Sequence, residues 1–506
     1  MQRRVVCVLV VVSASLVPAC STPRSAPPDT GASADGAAPG DDAASLREDA
    51  RVPAETRLAA GVTLEGLALF QGTRVALFAG GVPAARNAPI VASRAAVLRA
   101  YVDPGTRVGQ PLTGELEVRE GERVSALVRA SFTPGGVSDD ATPGSVLAFD
   151  VPAEAVTQTA RFAVRIVDPG GEPAPSGAPH VARLPRDGSL AALEARSDGA
   201  GLQLVLVPLR WDHDGSGRLP DTSAAQLQTF RDLLLAVYPL AHLAIEVHDP
   251  VPWDDALTFT GNVDFGAVNA MLMTLRASEG AASSAYYYAL VNADDTYDAY
   301  CGGGCVTGQS FVTDAPEDAD YRVGSGVGFP GQDTAWTLAH ELGHEHGRTH
   351  APCDAGGADP DFPYGGGGIG VWGLDPRTGA FQDPATLTDF MGYCDPTWTS
   401  DYTWSAIFER TVAVAALTSS PRSPSLLVRV GGEAGARVAG VATLRSPHAT
   451  RFTLGRWLDA RGRTIALVRA PAVTQSHTDE QLAVFPLPPA GATALEVNGL
   501  ALALDL

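Results

Sequence analysis

Residues 340–350 read His-Glu-Leu-Gly-His-Glu-His-Gly-Arg-Thr-His. Residues four apart on an α-helix lie on one face about one turn apart, so His340 and His344 can present imidazole nitrogens to one metal ion. Glu341 lies roughly 100° around the helix from His340, close enough to act beside the ion without binding it. Gly347 can adopt a positive φ, which ends the helix and turns the chain so that His350 reaches the same ion.

This spacing predicts a catalytic metal site. Three neutral imidazole ligands with one open position are typical of catalytic zinc, whereas a structural zinc site is closed by a fourth protein ligand. A lone His-Glu-x-x-His match also occurs by chance on ordinary surface helices. Here the glycine and the third histidine also stand where the longer motif requires them, within a helix predicted over 334–347. His346 falls outside the ligand spacing and is interpreted as a solvated or neighbouring side chain.

A second motif lies downstream, where residues 389–394 read Asp-Phe-Met-Gly-Tyr-Cys. Together with residues 340–350, this segment resembles the metzincin clan of zinc endopeptidases, which place a methionine turn beneath the metal. The resemblance implies that Met391 is this structural methionine. It also implies a role for Tyr393, because astacin-like and serralysin-like members have a tyrosine here that binds zinc or hydrogen-bonds the oxyanion. A packed aromatic side chain is the alternative interpretation of Tyr393.

The resemblance extends over about 200–412 and is greatest to secreted or surface-bound bacterial members, a group that includes mucin-degrading enzymes. It implies an exported endopeptidase that acts on extracellular proteins or glycoproteins. Zinc held by His340, His344 and His350 would lower the pKa of a bound water. Glu341 would then take the proton of that water as general base and return it to the leaving amine.

Two other functions stay open at this point. The chain could be a surface adhesin or glycan-binding lipoprotein with a vestigial peptidase region, or a zinc hydrolase acting on non-peptide bonds. Degenerate relatives of such enzymes usually lose the base or a ligand, whereas Glu341 and the three histidines of the motif are all present. The methionine turn, by resemblance, favours a peptidase over the other hydrolases.

The first twenty residues predict export to the bacterial cell envelope. Arg3 and Arg4 precede a mostly apolar run over 5–17, which is too short for an ordinary membrane span and is typical of a signal peptide. Residues 17–20 read Val-Pro-Ala-Cys, similar to a bacterial lipoprotein signal. In such signals Cys20 becomes the lipidated first residue, here predicted to anchor the protein at the outer membrane or cell surface. Ordinary cleavage near Ala19 is the alternative.

Four cysteines remain beyond the predicted signal peptide: Cys301, Cys305, Cys353 and Cys394. An even number in an exported chain predicts two disulfides, for which three pairings are possible. The favoured pairing is Cys301–Cys305, which closes a tight loop, with Cys353–Cys394, which ties the segment after His350 to the methionine turn. A cysteine zinc site is the alternative, although an oxidising compartment favours disulfides.

The chain divides into five predicted segments: a signal peptide over 1–20, a flexible linker over 21–55, a β-sandwich-like domain over 56–190, a metzincin-like peptidase domain over 200–412 and a C-terminal β-domain over 420–506. The predicted fold class is an α+β catalytic domain, with a mixed sheet and a zinc-binding helix, flanked by β-sandwich-like domains. Within 200–412, apolar runs predict strands at 202–207, 243–247 and 286–291 and helices at 223–238 and 263–277. Residues 302–312 are expected to supply an edge strand that aligns an extended peptide.

The formal net charge is −21, and loss of the two arginines in 1–20 would leave −23. No basic cluster stands out, so nucleic-acid binding is not expected and the charge is interpreted as solubility. Residues 212–221 place carboxylates around glycines like the beginning of a calcium loop, but its twelfth position is Ser223 rather than glutamate. A strand-to-helix turn explains this segment equally well, so Ca²⁺ is a second possible cofactor beside Zn²⁺.

Overall fold

The computed structural model describes residues 55–504, apart from 143, 169, 176–178, 259, 303, 418–420 and 433–434. The predicted signal peptide, the lipidation site Cys20 and all but the last residue of the predicted linker lie outside the described residues. Among the described residues, no helix is long and apolar enough to cross a membrane. The predicted segment boundaries remain predictions.

Short alternating strands occupy the region that begins at residue 55. They are β1 Glu55–Leu58, β2 Thr63–Phe70, β3 Arg74–Ala79, β4 Val82–Pro83, β5 Ile90–Val91, β6 Ala96–Asp103, β7 Leu112–Glu120, β8 Arg123–Phe132, β9 Leu147–Val151, β10 Arg161–Val167, β11 Glu172–Pro175, β12 Arg183–Leu184, β13 Ala191–Ala192 and β14 Ala195–Arg196. One sheet has the order β4-β3-β2-β6-β9, and a second has β11-β1-β10-β7-β8 with β12 and β13 beside β10. Leu98 and Phe149 of the first sheet share one buried core with Leu116 and Phe162 of the second.

The middle of the chain alternates strands and helices. Its elements are β15 Leu202–Trp211, α1 Ala224–Val237, β16 Leu243–Val247, β17 Val251–Trp253, α2 Phe265–Ser278, β18 Ala285–Val291, α3 Tyr297–Cys301, β19 Gly308–Val312, β20 Val323–Val327, α4 Gln332–Glu345, β21 Gly373–Asp375, β22 Ala380–Gln382, β23 Thr388–Asp389, β24 Thr397–Trp398 and α5 Asp401–Ala415. Strands β16, β15, β18 and β20 run parallel, and β19 is antiparallel to β20.

Helices cover both faces of these parallel strands, as parallel sheets require. Every residue of β18 is buried. Tyr288 lies in the core that includes α1 and α4, whereas Tyr287 lies in the core that includes α2, because successive strand residues point to opposite faces. The packing of α4 on the first face fixes the helix that carries His340 and His344.

The last part of the described chain is built of strands: β25 Ser423–Val430, β26 Ala436–Leu444, β27 Arg451–Leu458, β28 Thr464–Gln475, β29 Gln481–Pro486, β30 Ala494–Val497 and β31 Leu500–Ala503. Strand β28 pairs with β19, with Phe311 opposite Gln475 and Val312 opposite Thr474. This pairing merges the strands of the middle region and the last region into a single thirteen-stranded sheet.

The predicted fold class is therefore wrong. The described residues form thirty-one strands and five α-helices, and the chain is mostly β with large multi-stranded sheets rather than an α+β metzincin-like domain between β-sandwiches. The physical reason is the β19–β28 pairing, which continues the sheet across the boundary expected near 412–420. The expectation of a free edge strand at 302–312 is also wrong, since β19 has β20 on one side and β28 on the other.

Candidate metal centre

Four histidine side chains converge at one end of α4: His340, His344, His350 and His477. One ligand nitrogen from each lies within 4.8 Å of the others. The first two stand one turn apart on α4, with ring centroids 4.9 Å apart. Gly347 has φ +80°, as predicted, and a Cβ there would lie 2.8 Å from the carbonyl oxygen of Thr313, so only glycine fits this turn toward His350.

Backbone carbonyls orient the three histidines of the sequence motif. Their Nδ1 atoms pair with carbonyl oxygens as follows: His340 with Phe390 at 2.8 Å, His344 with Arg348 at 2.7 Å, and His350 with Gly356 at 2.7 Å. Because a carbonyl oxygen only accepts, each Nδ1 carries the proton and each Nε2 keeps its lone pair. The Nε2 atoms of His340 and His344 are buried and have no protein partner. Buried polar atoms are seldom left unpaired, so this donor set fits a metal ion.

Burial keeps these imidazoles neutral. It lowers the pKa of His340 to about 4, moves that of His344 well below its ordinary value and lowers that of His350 as well. A metal ion binds only the neutral form of histidine. The three side chains are therefore in the protonation state that a metal requires at neutral pH.

Glu341 brings a buried carboxylate to the same centre. Its Oε1 lies 2.8 Å from Nε2 of His477, and its Oε2 accepts from the hydroxyl of Ser476 at 3.2 Å. Burial acts to raise the pKa of Glu341, but the neighbouring His477, together with His340 and Ser476, outweighs it and leaves the pKa below its ordinary value. The carboxylate is ionised at neutral pH and can accept a proton.

Met391 and Tyr393 both reach the centre. Met391 is buried against α4, where a Cβ on Gly343 would lie 2.3 Å from its sulfur. The hydroxyl of Tyr393 lies 3.3 Å from Nε2 of His350 and hydrogen-bonds Nδ1 of His477. Tyr393 is 48% exposed, and its ring lies against those of His350 and His477, with centroids 5.0 and 5.7 Å apart. Burial of its inner part raises the pKa of Tyr393 to about 12, which leaves a neutral hydroxyl that can donate.

The structure contains both favoured disulfides, Cys301–Cys305 and Cys353–Cys394. The second joins the segment after His350 to the methionine turn, where the backbone N–H of Tyr393 also donates to the carbonyl of Cys353 at 3.0 Å. Disulfides persist in oxidising compartments, so the pair is consistent with an exported protein.

Two other sequence interpretations concern neighbouring polar residues. His346 is buried and its ring stacks on Tyr286 with centroids 4.6 Å apart, so a solvated position is wrong. In residues 212–221, the segment similar to the beginning of a calcium loop, the carboxylate of Asp212 pairs with Arg210 and that of Asp214 with Arg218. Across the part of the chain that the structure describes, the histidine cluster is the one group found that could hold a metal.

Sequence reasoning missed His477 and Ser476. Both lie in residues 476–480, the connection between β28 and β29, far along the chain from the His340 motif. The sequence of residues 476–480 is typical of an ordinary polar turn. No second histidine lies nearby at a spacing that would indicate a metal ligand. Only the pairing of β28 with β19 brings them to the centre.

No protein-family model matches the chain, and no curated protein matches its sequence. The function is consequently inferred from the chemistry of this centre and from the two sequence motifs.

Proposed function

We propose that this chain is an exported zinc-dependent endopeptidase that hydrolyses peptide bonds of extracellular proteins or glycoproteins. The observation that carries the proposal is an ionised, buried Glu341 beside three histidines whose Nδ1 atoms pair with backbone carbonyls, which leaves Nε2 of each as the nitrogen that can bind a metal. The four-histidine group could hold a metal ion, and imidazole nitrogen is a preferred ligand of zinc. The resemblance of residues 340–350 and 389–394 to metzincin motifs supports a peptidase among the possible zinc hydrolases.

Each residue of the centre has a separate role in the proposed reaction. His340, His344 and His350 would hold the ion through Nε2. A zinc ion held there supplies a Lewis acid, which lowers the pKa of water and polarises a carbonyl. Glu341 would accept the proton of the attacking water and transfer it to the leaving amine. Tyr393, neutral at pH 7, would donate its hydroxyl hydrogen to the oxyanion that develops on the substrate carbonyl.

The contacts of His477 support an enzyme over a structural metal site. Neither of its ring nitrogens is anchored by a backbone carbonyl, whereas each histidine of the motif is anchored in that way. Its two partners are Glu341 and Tyr393, the groups proposed to move protons. Burying a charged carboxylate is costly unless it is paired, and a structural metal site does not require one beside its ligands. The buried Glu341 is therefore better explained by a catalytic role.

A permanent bond from His477 to the metal would instead favour a competing function. If His477 bound the ion permanently, four protein ligands would close the site as in structural zinc centres. The chain would then be the adhesin or glycan-binding protein considered from its sequence, with a metal that only stabilises the fold. The two functions differ in whether Glu341 matters for hydrolysis.

Glu341→Gln tests the proposal directly, because glutamine keeps the shape of the side chain and loses the base. The variant should retain one zinc per chain and lose about 10²–10⁴-fold in turnover of a mixed protein substrate. The matched control is Glu345→Gln, four residues after Glu341 on the same helix. Glu345 is buried, neither of its carboxyl oxygens has a hydrogen-bond partner, and burial raises its pKa well above the ordinary value, so glutamine should preserve activity. Equal turnover in wild type and Glu341→Gln would contradict the proposed mechanism.

We also propose that the protein is a lipoprotein of the bacterial cell envelope, attached through lipid on Cys20. The sequence of residues 1–20 supports this location, and the two disulfides agree with export. Intact-mass measurement of the membrane fraction should find an N-terminal lipidated Cys20. An unmodified, freely soluble protein would exclude the anchor.

A further inference from the structure

The chain itself occupies the sheet edge beside the candidate metal centre. Residues 474 and 475 of β28 pair with β19. Ser476 continues this pairing: its N–H donates to the carbonyl of Ser310 at 2.7 Å, and its hydroxyl accepts from the N–H of Ser310 at 2.9 Å. An extended peptide substrate would add to a sheet edge through the same kind of main-chain bonds. Residues 474–476 thus lie where a substrate strand would be expected.

The turn that follows directs His477 into the centre. His477 has φ +60°, a left-handed conformation that is uncommon for residues other than glycine and asparagine. The turn is closed by a backbone bond from Gln475 to Glu480 at 3.0 Å, and Glu480 pairs with the buried Arg429. With its backbone held in this way, the His477 side chain is only 14% exposed.

In this position His477 engages both groups that the proposed chemistry needs. Its Nε2–H donates to Oε1 of Glu341 at 2.8 Å, and its Nδ1 accepts from the hydroxyl of Tyr393. With Oε1 accepting from His477 and Oε2 accepting from Ser476, both carboxylate oxygens of Glu341 are already engaged, which weakens Glu341 as an acceptor for a proton of water. A hydroxyl committed to His477 is likewise not free for a substrate carbonyl.

A cavity of about 610 Å³ adjoins the centre, and His477 forms part of its wall with Val306 and Gln309. The same side chain therefore borders the cavity on one side and contacts Glu341 on the other. A rotation of the imidazole away from Glu341 has room in this direction.

We propose that His477 is an inhibitory latch: its imidazole holds Glu341 and Tyr393, fills the fourth position of the histidine cluster, and must turn away before a ligand reaches the metal. The latch rests on the proposed function, since it regulates the same site. Its moving part is one side chain, and the strand pairing that presents it stays in place.

Two substitutions remove the latch while keeping the turn. His477→Asn and His477→Gly both tolerate a left-handed φ, so the backbone of residues 476–480 should be preserved. The matched control is His448→Asn, which replaces another histidine of the C-terminal region whose side chain is 61% exposed and pairs with Asp318. Each protein is loaded with Zn²⁺ and titrated calorimetrically with acetohydroxamate, a small metal-chelating ligand.

Both His477 variants should bind one zinc per chain. They should bind acetohydroxamate on the order of 10- to 100-fold more tightly than wild type, because the hydrogen bond between His477 and the charged Glu341 no longer has to be broken. The His448→Asn protein should match wild type. Unchanged acetohydroxamate affinity in the His477 variants would show that His477 does not block the site. Loss of zinc from these variants would show a permanent fourth ligand and would equally overturn the latch.

The outcomes separate the latch from the proposed function. Tighter acetohydroxamate binding with no cleavage of any protein by wild type or variant would retain the latch and reject the peptidase. Glu341-dependent cleavage with unchanged acetohydroxamate affinity would retain the peptidase and reject the latch.

Discussion

The Cys353–Cys394 disulfide joins the two segments that complete the candidate metal centre. Cys353 follows His350 by three residues, and Cys394 directly follows Tyr393. The double substitution Cys353→Ala/Cys394→Ala is therefore predicted to loosen both His350 and Tyr393, and to reduce the free energy of unfolding. The other disulfide, Cys301–Cys305, closes a loop that contains none of the four histidines or Tyr393 and provides a matched comparison.

The expected loss follows from the length of the loop that each disulfide closes. With a sequence separation of 41 between the cysteines, the chain-entropy relation gives about 4 kcal/mol at 25 °C for Cys353–Cys394. With a separation of 4, the same relation gives about 2 kcal/mol for Cys301–Cys305. The two double variants should thus differ by about 2 kcal/mol in unfolding free energy. The first should also bind zinc roughly 10-fold or more weakly, the usual effect of losing a group that positions a ligand.

Urea unfolding of the metal-free proteins measures the stability difference, and competition with a coloured chelator measures zinc affinity. The Cys301→Ala/Cys305→Ala protein should keep wild-type zinc affinity despite its own loss of stability. Equal destabilisation by the two double substitutions would refute the loop-length argument. Unchanged zinc affinity after loss of Cys353–Cys394 would show that the disulfide does not position the centre.

Three further substitutions test the packing and chemistry around the site. Asp320→Asn should lower the unfolding free energy by roughly 3–5 kcal/mol, because the buried carboxylate accepts from three arginines. Although burial acts to raise the pKa of Asp320, these arginines hold the pKa below its ordinary value. The ionised carboxylate therefore stabilises the folded protein above about pH 4, and this stabilisation is lost as the pH falls further. In urea titrations the unfolding free energy of the variant should consequently decrease less at acid pH than that of wild type. Gly343→Ala should cost roughly 1–3 kcal/mol in thermal unfolding, because the new Cβ would lie 2.3 Å from the sulfur of Met391. Tyr393→Phe should keep zinc and lose about 10²–10³-fold in turnover if the hydroxyl stabilises the oxyanion, and an unchanged kcat would contradict that role.

Local signals in the sequence located much of the centre. The predicted strand at 243–247 is β16 with the same bounds, and the helix predicted over 334–347 is α4, Gln332–Glu345. Helical spacing placed His340 and His344 on one face, and the positive φ of Gly347 brought His350 to them. These features depend on the preferences of adjacent residues, which a single sequence contains.

The fold class could not be read in the same way. It was decided by the pairing of Phe311 with Gln475 and of Val312 with Thr474, residues that lie in distant parts of the sequence. Both partners are ordinary strand residues, and strand periodicity indicates which face is buried but not which strand lies alongside. The sequence therefore predicted the strands of the last region without indicating that they continue the sheet of the middle region.

The candidate centre depends both on local structure, which the sequence predicted, and on long-range strand pairing, which it did not. His340, His344 and His350 lie on one helix and in the turn after it, and the carbonyl of Phe390 and the Cys353–Cys394 disulfide help to hold them in place. His477 is positioned by the attachment of the β28–β29 turn to β19, by the backbone bond from Gln475 to Glu480 and by the pairing of Glu480 with Arg429. A perturbation that detaches this turn would withdraw His477 from Glu341 and Tyr393 without breaking the backbone hydrogen bonds of the other three histidines. In the proposed latch, the thirteen-stranded sheet therefore presents one residue of the C-terminal region to a candidate metal centre whose other three histidines lie in a distant part of the sequence.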